Sequence, residues 1–358
     1  MDEVRLGIAG TGSIADTQTR ALARVPGVGL AAVLSRSRTN AEAFAQWKGI
    51  PEHFDDLEEF LKVDMDAVSV CFPNSRHYEV ATAAAKAGLH VIVEKPLAMS
   101  LAQADGMIAA CQKAGKVLCY AEELCFVPKY ARVKELVEEG ALGEVYMVRQ
   151  TEKHAGPYSE WFFKRETAGG GALMDMGCHG IEAIRWIKGK AEVVEVSAQL
   201  DTFVQGEKTD LEDHAVVTMR FEDGSLGISE SSWALQGGME SILEVYGTKG
   251  VVKADLCRGS GISIYSDVGY GMIPDLAKGW TVPDYNHDIE QGYVGEMEHF
   301  IDCIRNGKPP SEGAGDGKKV LEIMLAAYQS ASTGRSVPLP FQPGDAEAPV
   351  DLWKKPTG

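Results

Sequence analysis

The amino-acid sequence predicts an α/β protein with two domains: a doubly wound parallel sheet in the N-terminal domain, and a C-terminal α/β domain with a large, mostly antiparallel, open-faced sheet. In the first 123 residues, short apolar runs rich in β-branched residues alternate with helical stretches, which is the spacing of a parallel sheet. From residue 143 onward, apolar and polar residues alternate within the runs, as in antiparallel strands with one exposed face. A chain of 358 residues is also long enough for two cores. The predicted domain limits are 1–123 and 124–340, followed by a surface tail over 341–358.

The composition excludes several classes of partner. The chain has 35 basic and 52 acidic residues, a formal net charge of −17 at pH 7, which disfavours nucleic acid and anionic membrane surfaces. No apolar run approaches the roughly 20 residues of a transmembrane helix, and the N-terminus enters a strand directly, without the pattern of a signal peptide. Seven cysteines, an odd number without a C-x-x-C pair, fit reduced thiols better than disulfides or structural zinc. We therefore expect a cytoplasmic protein.

The first predicted strand, Val4 to Ala9, runs into the segment Gly10-Thr11-Gly12-Ser13-Ile14-Ala15, which opens a helix. This is the G-x-G-x-x-A form of the dinucleotide-binding fingerprint. Gly10 permits the tight turn, Gly12 lets the backbone approach a pyrophosphate, and Ala15 allows close packing of helix and strand. Because the helix N-terminus also offers N–H groups to an anion, the segment predicts a dinucleotide site.

The end of the second predicted strand, residues 30–34, indicates which dinucleotide is bound. An acid at this place accepts the adenosine ribose 2′-hydroxyl of NAD, whereas arginine accommodates the 2′-phosphate of NADP. The chain has Ser35-Arg36-Ser37-Arg38 here and no acid before Glu42. Guanidinium and hydroxyl groups suit a phosphate dianion, so NADP(H) is favoured, with NAD(H) possible.

Two further strands end in polar residues. The strand at 67–70 ends in Cys71-Phe72-Pro73-Asn74, and the buried strand at 90–93 ends in Glu94-Lys95-Pro96, where a tight exit allows a cis Lys95–Pro96 bond. In parallel α/β sheets, ligands bind beyond the carboxyl ends of the strands, so Lys95 is expected to face the ligand crevice. The alternative for an arbitrary Glu-Lys pair is a surface ion pair.

The remaining elements follow from periodicity and from glycine and proline boundaries. Predicted helices cover 39–47, 56–61, 77–87, 101–114, 128–139, 296–305 and 318–330. Predicted strands cover 117–120, 144–151, 193–201, 215–221, 225–232, 241–246 and 250–254.

A glycine run, Gly169 to Gly171, leads into a predicted helix that carries Asp175 and His179. These two residues are four positions apart and share one helix face. An aspartate that orients a histidine is the usual way to build a general acid or base near neutral pH. The alternatives are a buried histidine paired with a structural carboxylate, and metal ligation, which is disfavoured because no further His or Cys cluster has ligand spacing.

Aromatic residues precede the glycine run and suggest a substrate with a ring. An aromatic face beside polar groups suits a sugar or cyclitol, although core packing explains such a cluster equally well. The residues in question are Tyr158, Trp161, Phe162 and Phe163, with Lys153 and His154 before them. Further hydrogen-bonding groups are Tyr120, Glu122, Glu123, Asn286 and His287.

Taken together, the fingerprint, the Glu94-Lys95-Pro96 strand end and the glycine-rich helix with Asp175 and His179 resemble the Gfo/Idh/MocA oxidoreductase family, which includes glucose-fructose oxidoreductase and inositol dehydrogenase. The resemblance runs from Val4 to about Pro340, and the motifs occur in the expected order. It implies a Rossmann domain followed by a C-terminal α/β domain with an open sheet, through which such proteins commonly form homodimers or homotetramers.

The resemblance also implies roles for single residues. It makes Lys95 the catalytic lysine, Asp175 the orienting acid and His179 the acid/base, and it places Pro73 and Asn74 beside the nicotinamide ribose. Phe72 stands where the family often has threonine, and Glu182 where it often has aspartate. The residues assigned to the cofactor are Gly10, Thr11, Gly12, Ser13, Ile14, Ser35, Arg36, Arg38, Phe72, Pro73, Asn74, His77, Glu94 and Lys95. Those assigned to the substrate are Lys95, Glu122, His154, Trp161, Asp175 and His179, and no metal ligand is assigned.

The expected reaction is hydride transfer between a nicotinamide and a secondary hydroxyl or ketone of a sugar, glycoside or cyclitol. Two alternatives stay open. One is a nicotinamide-dependent hydrolase or lyase that reduces and reoxidises its cofactor within one cycle. The other is a non-catalytic, cofactor-sensing regulator on the same fold, in which the catalytic group would be expected to be missing.

Overall fold

The computed structural model describes residues 3–236, 238–257, 262–270, 278–281, 291–344 and 346–353. The chain divides into two units: the first comprises Met1–Glu123 and Gly292–Lys319, and the second comprises Leu124–Gln291 and Val320–Gly358. The first unit thus receives a segment from the C-terminal part of the chain, whereas the sequence-based limits keep 124–340 together. Within the described ranges, no helix is long and apolar enough to cross a membrane.

The described part of the chain contains ten α-helices, and most of them match predicted ones. Their ranges are α1 Ser13–Leu22, α2 Arg38–Lys48, α3 Leu57–Phe60, α4 His77–Lys86, α5 Leu101–Ala114, α6 Pro128–Glu138, α7 Arg165–Ala168, α8 Cys178–Ile187, α9 Tyr293–Asn306 and α10 Ala314–Thr333. Local chemistry sets several ends: the Ser37 and Ser100 hydroxyls cap the N-termini of α2 and α5, and Gly49 and Gly115 end the same helices in the left-handed conformation.

The sheet of the first unit has six parallel strands. They are β1 Val4–Ala9, β2 Val28–Leu34, β3 Glu52–Phe54, β4 Ala67–Val70, β5 His90–Glu94 and β6 Leu118–Ala121, in the order β3-β2-β1-β4-β5-β6. The predicted doubly wound parallel sheet is confirmed. Because the strand order changes direction between β1 and β4, the carboxyl ends of these strands mark the ligand crevice of such a sheet.

The sheet of the second unit has nine strands in the described residues. They are β7 Val145–Lys153, β8 Val193–Asp201, β9 His214–Phe221, β10 Leu226–Ser232, β11 Glu240–Gly247, β12 Gly250–Asp255, β13 Ile262–Ser266, β14 Gly279–Thr281 and β15 Val337–Pro338. Their order is β14-β13-β12-β11-β7-β10-β9-β8-β15, and only the β7–β10 pair is parallel. In β9, buried Val217 and Met219 alternate with half-buried Val216 and Thr218. The predicted open, mostly antiparallel sheet is therefore confirmed.

The segment predicted as a surface tail is packed over part of its length. Residues Pro349–Leu352 form a 3₁₀ helix, in which Val350 is buried, and Trp353 directly after it is buried too. The Val350 N–H donates to the Gly169 carbonyl (2.9 Å), and the Arg165 guanidinium makes two 2.6 Å bonds to the Asp351 carboxylate. The tail therefore contacts the chain at both ends of α7.

Candidate functional site

The fingerprint turn has the backbone geometry that the sequence predicts. Gly10 has φ of 137°, and a Cβ atom there would lie 2.5 Å from the Cys71 carbonyl oxygen, so glycine is required. A Cβ atom added at Gly12 would have no atom of the described residues within 4 Å, and α1 begins there without a side-chain cap. The open space over Gly12 and the uncapped helix N-terminus fit a pyrophosphate.

The end of β2 places polar groups where an adenosine ribose would be recognised. Ser35 is buried, and its hydroxyl lies 3.0 Å from that of Thr11 in the fingerprint. Arg36 is exposed and makes no ion pair with any described residue. Arg38, also exposed, lies 3.8 Å from the Asp55 carboxylate, a weak pair in water. Both arginines are accessible to a phosphate.

The end of β5 carries a buried carboxylate beside a half-buried lysine, joined to Pro96 by a cis bond. Glu94 Oε1 accepts from Gln18 Nε2 (2.6 Å), and its Oε2 accepts from the Lys95 backbone N–H (3.1 Å). Burial, and then the nearby Glu123, raise the pKa of Glu94 to about 8.

His77 links the ends of β4 and β5 within the first unit. Its two ring nitrogens lie 2.9 Å from the carbonyl oxygens of Phe72 and Pro96. The ring is almost fully buried, and burial lowers the pKa of His77. Phe72 and Asn74 are buried too, and the Arg76 guanidinium lies 5.7 Å from the Phe72 ring centre. His77 therefore contacts the backbone at both strand ends.

In the second unit, Asp175 lies in a π-helical turn, Leu173–Gly177, that continues directly into α8, where His179 is the second residue. The sequence predicts an ordinary helix here. π-Helical turns are rare in proteins, and a large share of them lie at functional sites. Both side chains are almost fully buried.

The Asp175 carboxylate has partners that the sequence does not reveal. Trp233 Nε1 donates a 2.9 Å hydrogen bond to Asp175 Oδ2, and His154 Nε2 lies 3.5 Å from the same oxygen. Trp233 is completely buried just beyond the end of β10. No local pattern marks it, because it contacts Asp175 from 58 positions away.

The aromatic residues ahead of the glycine run pack partly as a core. Phe162 and Phe163 meet the Trp233 ring edge-on, with ring centres 6.4 and 5.9 Å apart. Trp161 stacks on Phe162 at 3.7 Å and is half-buried, whereas Tyr158 is exposed. Two of the four aromatics thus support the helix that carries Asp175, and the other two retain surface for a ligand.

Glu212 caps the glycine-rich start of that helix. Its Oε1 accepts from the backbone N–H groups of Gly171 (2.9 Å) and Leu173 (3.0 Å) and from the Tyr328 hydroxyl (2.7 Å). The group is completely buried, and burial raises the pKa of Glu212 to about 7. The sequence does not single out Glu212, which lies 41 positions from Gly171.

We expect this carboxyl group to make stability depend on pH. Because its pKa in the folded state is near 7 rather than 4.5, its contribution is complete below pH 4.5 and is lost as the pH rises to about 7. This contribution of Glu212 to the unfolding free energy is roughly 3 kcal/mol, because a difference of one pKa unit between the folded and unfolded states corresponds to about 1.4 kcal/mol. In Glu212→Gln, the amide oxygen can accept the same bonds without titrating, so the difference in unfolding free energy from wild type should vary between pH 4.5 and 7.5 by about that amount.

Urea unfolding over this pH range measures the effect, and the exposed Glu222→Gln is the matched control. If Glu212→Gln and wild type keep a constant difference across the range, the pKa of Glu212 is not raised in the folded protein.

Three further residues that the sequence suggests for the site are Glu122, Asn286 and His287. Glu122 is completely buried in the first unit, immediately after β6. Asn286 and His287 lie outside the described residues. The absence of a metal ligand remains a prediction.

A dinucleotide fingerprint at the switch point of a six-stranded parallel sheet, with a second unit built on an open sheet, defines a two-domain Rossmann-type dinucleotide-binding protein. Residues 4–122 match the family described as "Oxidoreductase family, NAD-binding Rossmann fold", and residues 130–253 match the "GFO/IDH/MocA C-terminal domain". The chain therefore belongs to the GFO/IDH/MocA oxidoreductase family, as its motifs predict.

Similar proteins span nearly the whole chain. It is 30% identical over 339 residues to myo-inositol 2-dehydrogenase of Thermotoga maritima, covering 94% of this chain and 98% of that protein. It is 31% identical over 353 residues to D-glucoside 3-dehydrogenase of Escherichia coli (strain K12), covering 94% and 97%. The crystal structure of GenD2 from gentamicin A biosynthesis in complex with NAD is 33% identical, with a TM-score of 0.85 over 95% of this chain and 97% of that chain.

Proposed function

We propose that this protein is an NAD(P)-dependent dehydrogenase or reductase that transfers a hydride between the nicotinamide and a secondary hydroxyl or ketone of a sugar, glycoside or cyclitol. The observation that carries the proposal is the position of the fingerprint glycines at the β1/β4 switch point, with Glu94 and Lys95 at the neighbouring strand end. The substrate class follows from the relatives, which are named for inositol and glucoside.

The proposed chemistry assigns one role to each of three residues. A bound nicotinamide supplies the carbon that accepts or releases the hydride. His179 takes the proton of the substrate hydroxyl in oxidation and returns it in reduction. Lys95, as a cation, stabilises the developing alkoxide charge, a contribution typically worth about 3 kcal/mol. Asp175, held by Trp233, fixes the imidazole.

We also assign cofactor binding and substrate binding to the two domains. Domain 1–123 binds the dinucleotide through the cofactor residues given above, with His77 acting indirectly through the backbone of Phe72 and Pro96. Domain 124–340 binds the substrate, with His154 and Trp161 as contributing side chains, and Glu122 contributes from domain 1–123. We also propose a cytoplasmic location, because the seven cysteines, which all lie in the described ranges, are thiols rather than disulfides and fit a reducing compartment.

An absorbance assay at 340 nm tests the reaction. The purified chain is mixed with a panel of sugars, inositols and glycosides, with NAD and NADP in parallel. Stoichiometric reduction of the dinucleotide supports the proposal. Product without net reduction identifies a hydrolase or lyase with an internal redox cycle, and dinucleotide binding without any turnover identifies a regulator.

We propose further that NADP(H) is favoured over NAD(H), because Arg36 and Arg38 are exposed just after β2 and no acidic residue lies between Leu34 and Glu42. We expect Arg36→Ala to weaken NADP binding about tenfold, the value of one charge-assisted contact, and to leave NAD binding unchanged. Fluorescence titration with both dinucleotides measures this, with the exposed Arg24→Ala as control. Tighter binding of NAD than of NADP by wild type would contradict the preference.

The open sheet is proposed as the surface for a homodimer or homotetramer. Its outer face combines half-buried apolar residues such as Met147 and Ile228 with paired charges: Arg149 lies 2.8 Å from Glu230, and Lys253 lies 2.6 Å from Glu244. Charges already paired within the sheet cost less to bury than single ones. Light scattering after size-exclusion chromatography tests this, and a monomeric mass would exclude it.

A further inference from the structure

Gln18 is a completely buried polar residue on α1, three positions beyond the fingerprint. A buried primary amide costs several kcal/mol unless its donor and acceptor atoms are paired. Both ends of this amide have partners. Its Nε2 donates to Glu94 Oε1 at 2.6 Å, and its Oε1 accepts from the Ser69 hydroxyl and from the Cys71 thiol, which lies at 3.4 Å.

These partners determine which way the amide points. Ser69 and Cys71 belong to β4 and the turn after it, and both offer a hydrogen to the amide oxygen. Since the amide oxygen is occupied by these two donors, the NH₂ group is directed at Glu94 in β5, where Oε1 accepts from it. A flipped amide would set its oxygen against the Glu94 carboxylate and lose the bonds from β4.

The second oxygen of Glu94 is also held, because it accepts the Lys95 backbone N–H at 3.1 Å. One carboxylate oxygen is thus fixed from α1 and the other from the end of β5. An acceptor that is already oriented avoids the cost of ordering when a ligand binds.

Burial and the neighbouring carboxylates oppose the charge of Glu94. Glu123, after β6, and Glu296, on α9, both lie in this region, where burial and the other carboxylates raise the pKa of Glu296 well above its ordinary value. Tyr293 on α9 and Cys71 are neutral neighbours whose own pKa values are raised by burial first and then by the nearby carboxylates. Lys95 is the cation near Glu94. The Gln18 N–H is one of the few groups that favour the ionised form of Glu94.

We propose that Gln18 is a positioning residue for the dinucleotide site: its amide fixes the Glu94 carboxylate, in its accepting form, for hydrogen bonds from the bound cofactor. This inference rests on the proposed role of Glu94 in cofactor binding. It connects the helix that receives the pyrophosphate with the strand end that carries Lys95.

Direct binding of NADP and NAD to the full chain tests the inference, measured by fluorescence titration from pH 6.5 to 9. We expect Gln18→Leu to weaken binding about tenfold. Affinity should rise with pH as Glu94 ionises, and the midpoint of this rise should move to higher pH in the variant. Thr19→Val is the matched control, because the Thr19 hydroxyl is buried on the same helix without a hydrogen-bond partner among the described residues. It should bind like wild type.

A second variant guards against disturbed packing at the buried site. Ser69→Ala keeps Gln18 and removes one hydrogen bond from the amide oxygen, so it should weaken binding in the same direction by about threefold. Wild-type affinity and an unchanged pH profile in Gln18→Leu, or in Ser69→Ala if Gln18→Leu does not fold, would overturn the inference. If wild type itself binds neither dinucleotide, the proposed function fails, and this inference fails with it.

Discussion

Replacement of Lys95 by alanine is expected to lower kcat by about a hundred- to a thousandfold, the usual effect of removing one donor that stabilises a developing oxyanion. Lys95 follows β5 directly, next to the buried Glu94, and Pro96 ends the strand. The lysine is therefore presented at the carboxyl edge of the sheet, where such sheets bind ligands. Removing the amine should raise the energy of the transition state and leave the contacts of the fingerprint with the dinucleotide intact.

Initial rates at saturating dinucleotide, together with the dissociation constant for the dinucleotide, separate these two effects. The dissociation constant of Lys95→Ala should stay within a few fold of the wild-type value. Lys86→Ala is the control, since Lys86 is an exposed lysine at the end of α4 in the same unit. Turnover close to wild type in Lys95→Ala would remove this lysine from the chemistry.

Much of the fold was predictable because it depends on local patterns. Strand Val4–Ala9 and helix Leu101–Ala114 have the predicted limits, since the first precedes a glycine turn and the second lies between a serine cap and a glycine stop. The three-residue strands β3 and β14 are too short for a periodic signal. The return of 292–319 to the first unit depends on contacts between distant segments, which periodicity does not encode.

In the candidate site, too, the features set by local patterns were predictable and those set by contacts between distant residues were not. Gly10, Lys95, Asp175 and His179 stand in short motifs whose chemistry can be interpreted from sequence alone. The residues that hold them in place cannot be found this way, because each acts across a long sequence separation: 76 positions from Gln18 to Glu94, and 58 from Asp175 to Trp233. The π-helical turn at 173–177 also has no sequence signature, since a helix-forming pattern fits either turn width.

Gly171→Ala is expected to destabilise the second unit by about 3 kcal/mol or more, which is the upper range for overpacking a buried position. A Cβ atom at this position would lie 1.9 Å from the Glu212 carbonyl oxygen, a contact that no side-chain rotation relieves. Relief requires the glycine-rich turn and the Glu212 segment to separate. This movement would break the bonds from the Gly171 N–H to the Glu212 carboxylate and from the Ala172 N–H to the Glu212 carbonyl.

The same movement would displace the π-helical turn that carries Asp175, so loss of activity should accompany the loss of stability. Thermal unfolding should show the midpoint of the second unit lowered by roughly 6–12 °C, at about 2–4 °C per kcal/mol for a unit of this size. Gly206→Ala is the control in the same unit, because its Cβ would make only an ordinary 3.9 Å contact with Thr202. If Gly171→Ala melts and turns over like Gly206→Ala, the close approach of Glu212 to the glycine run is not what holds the start of this helix in place.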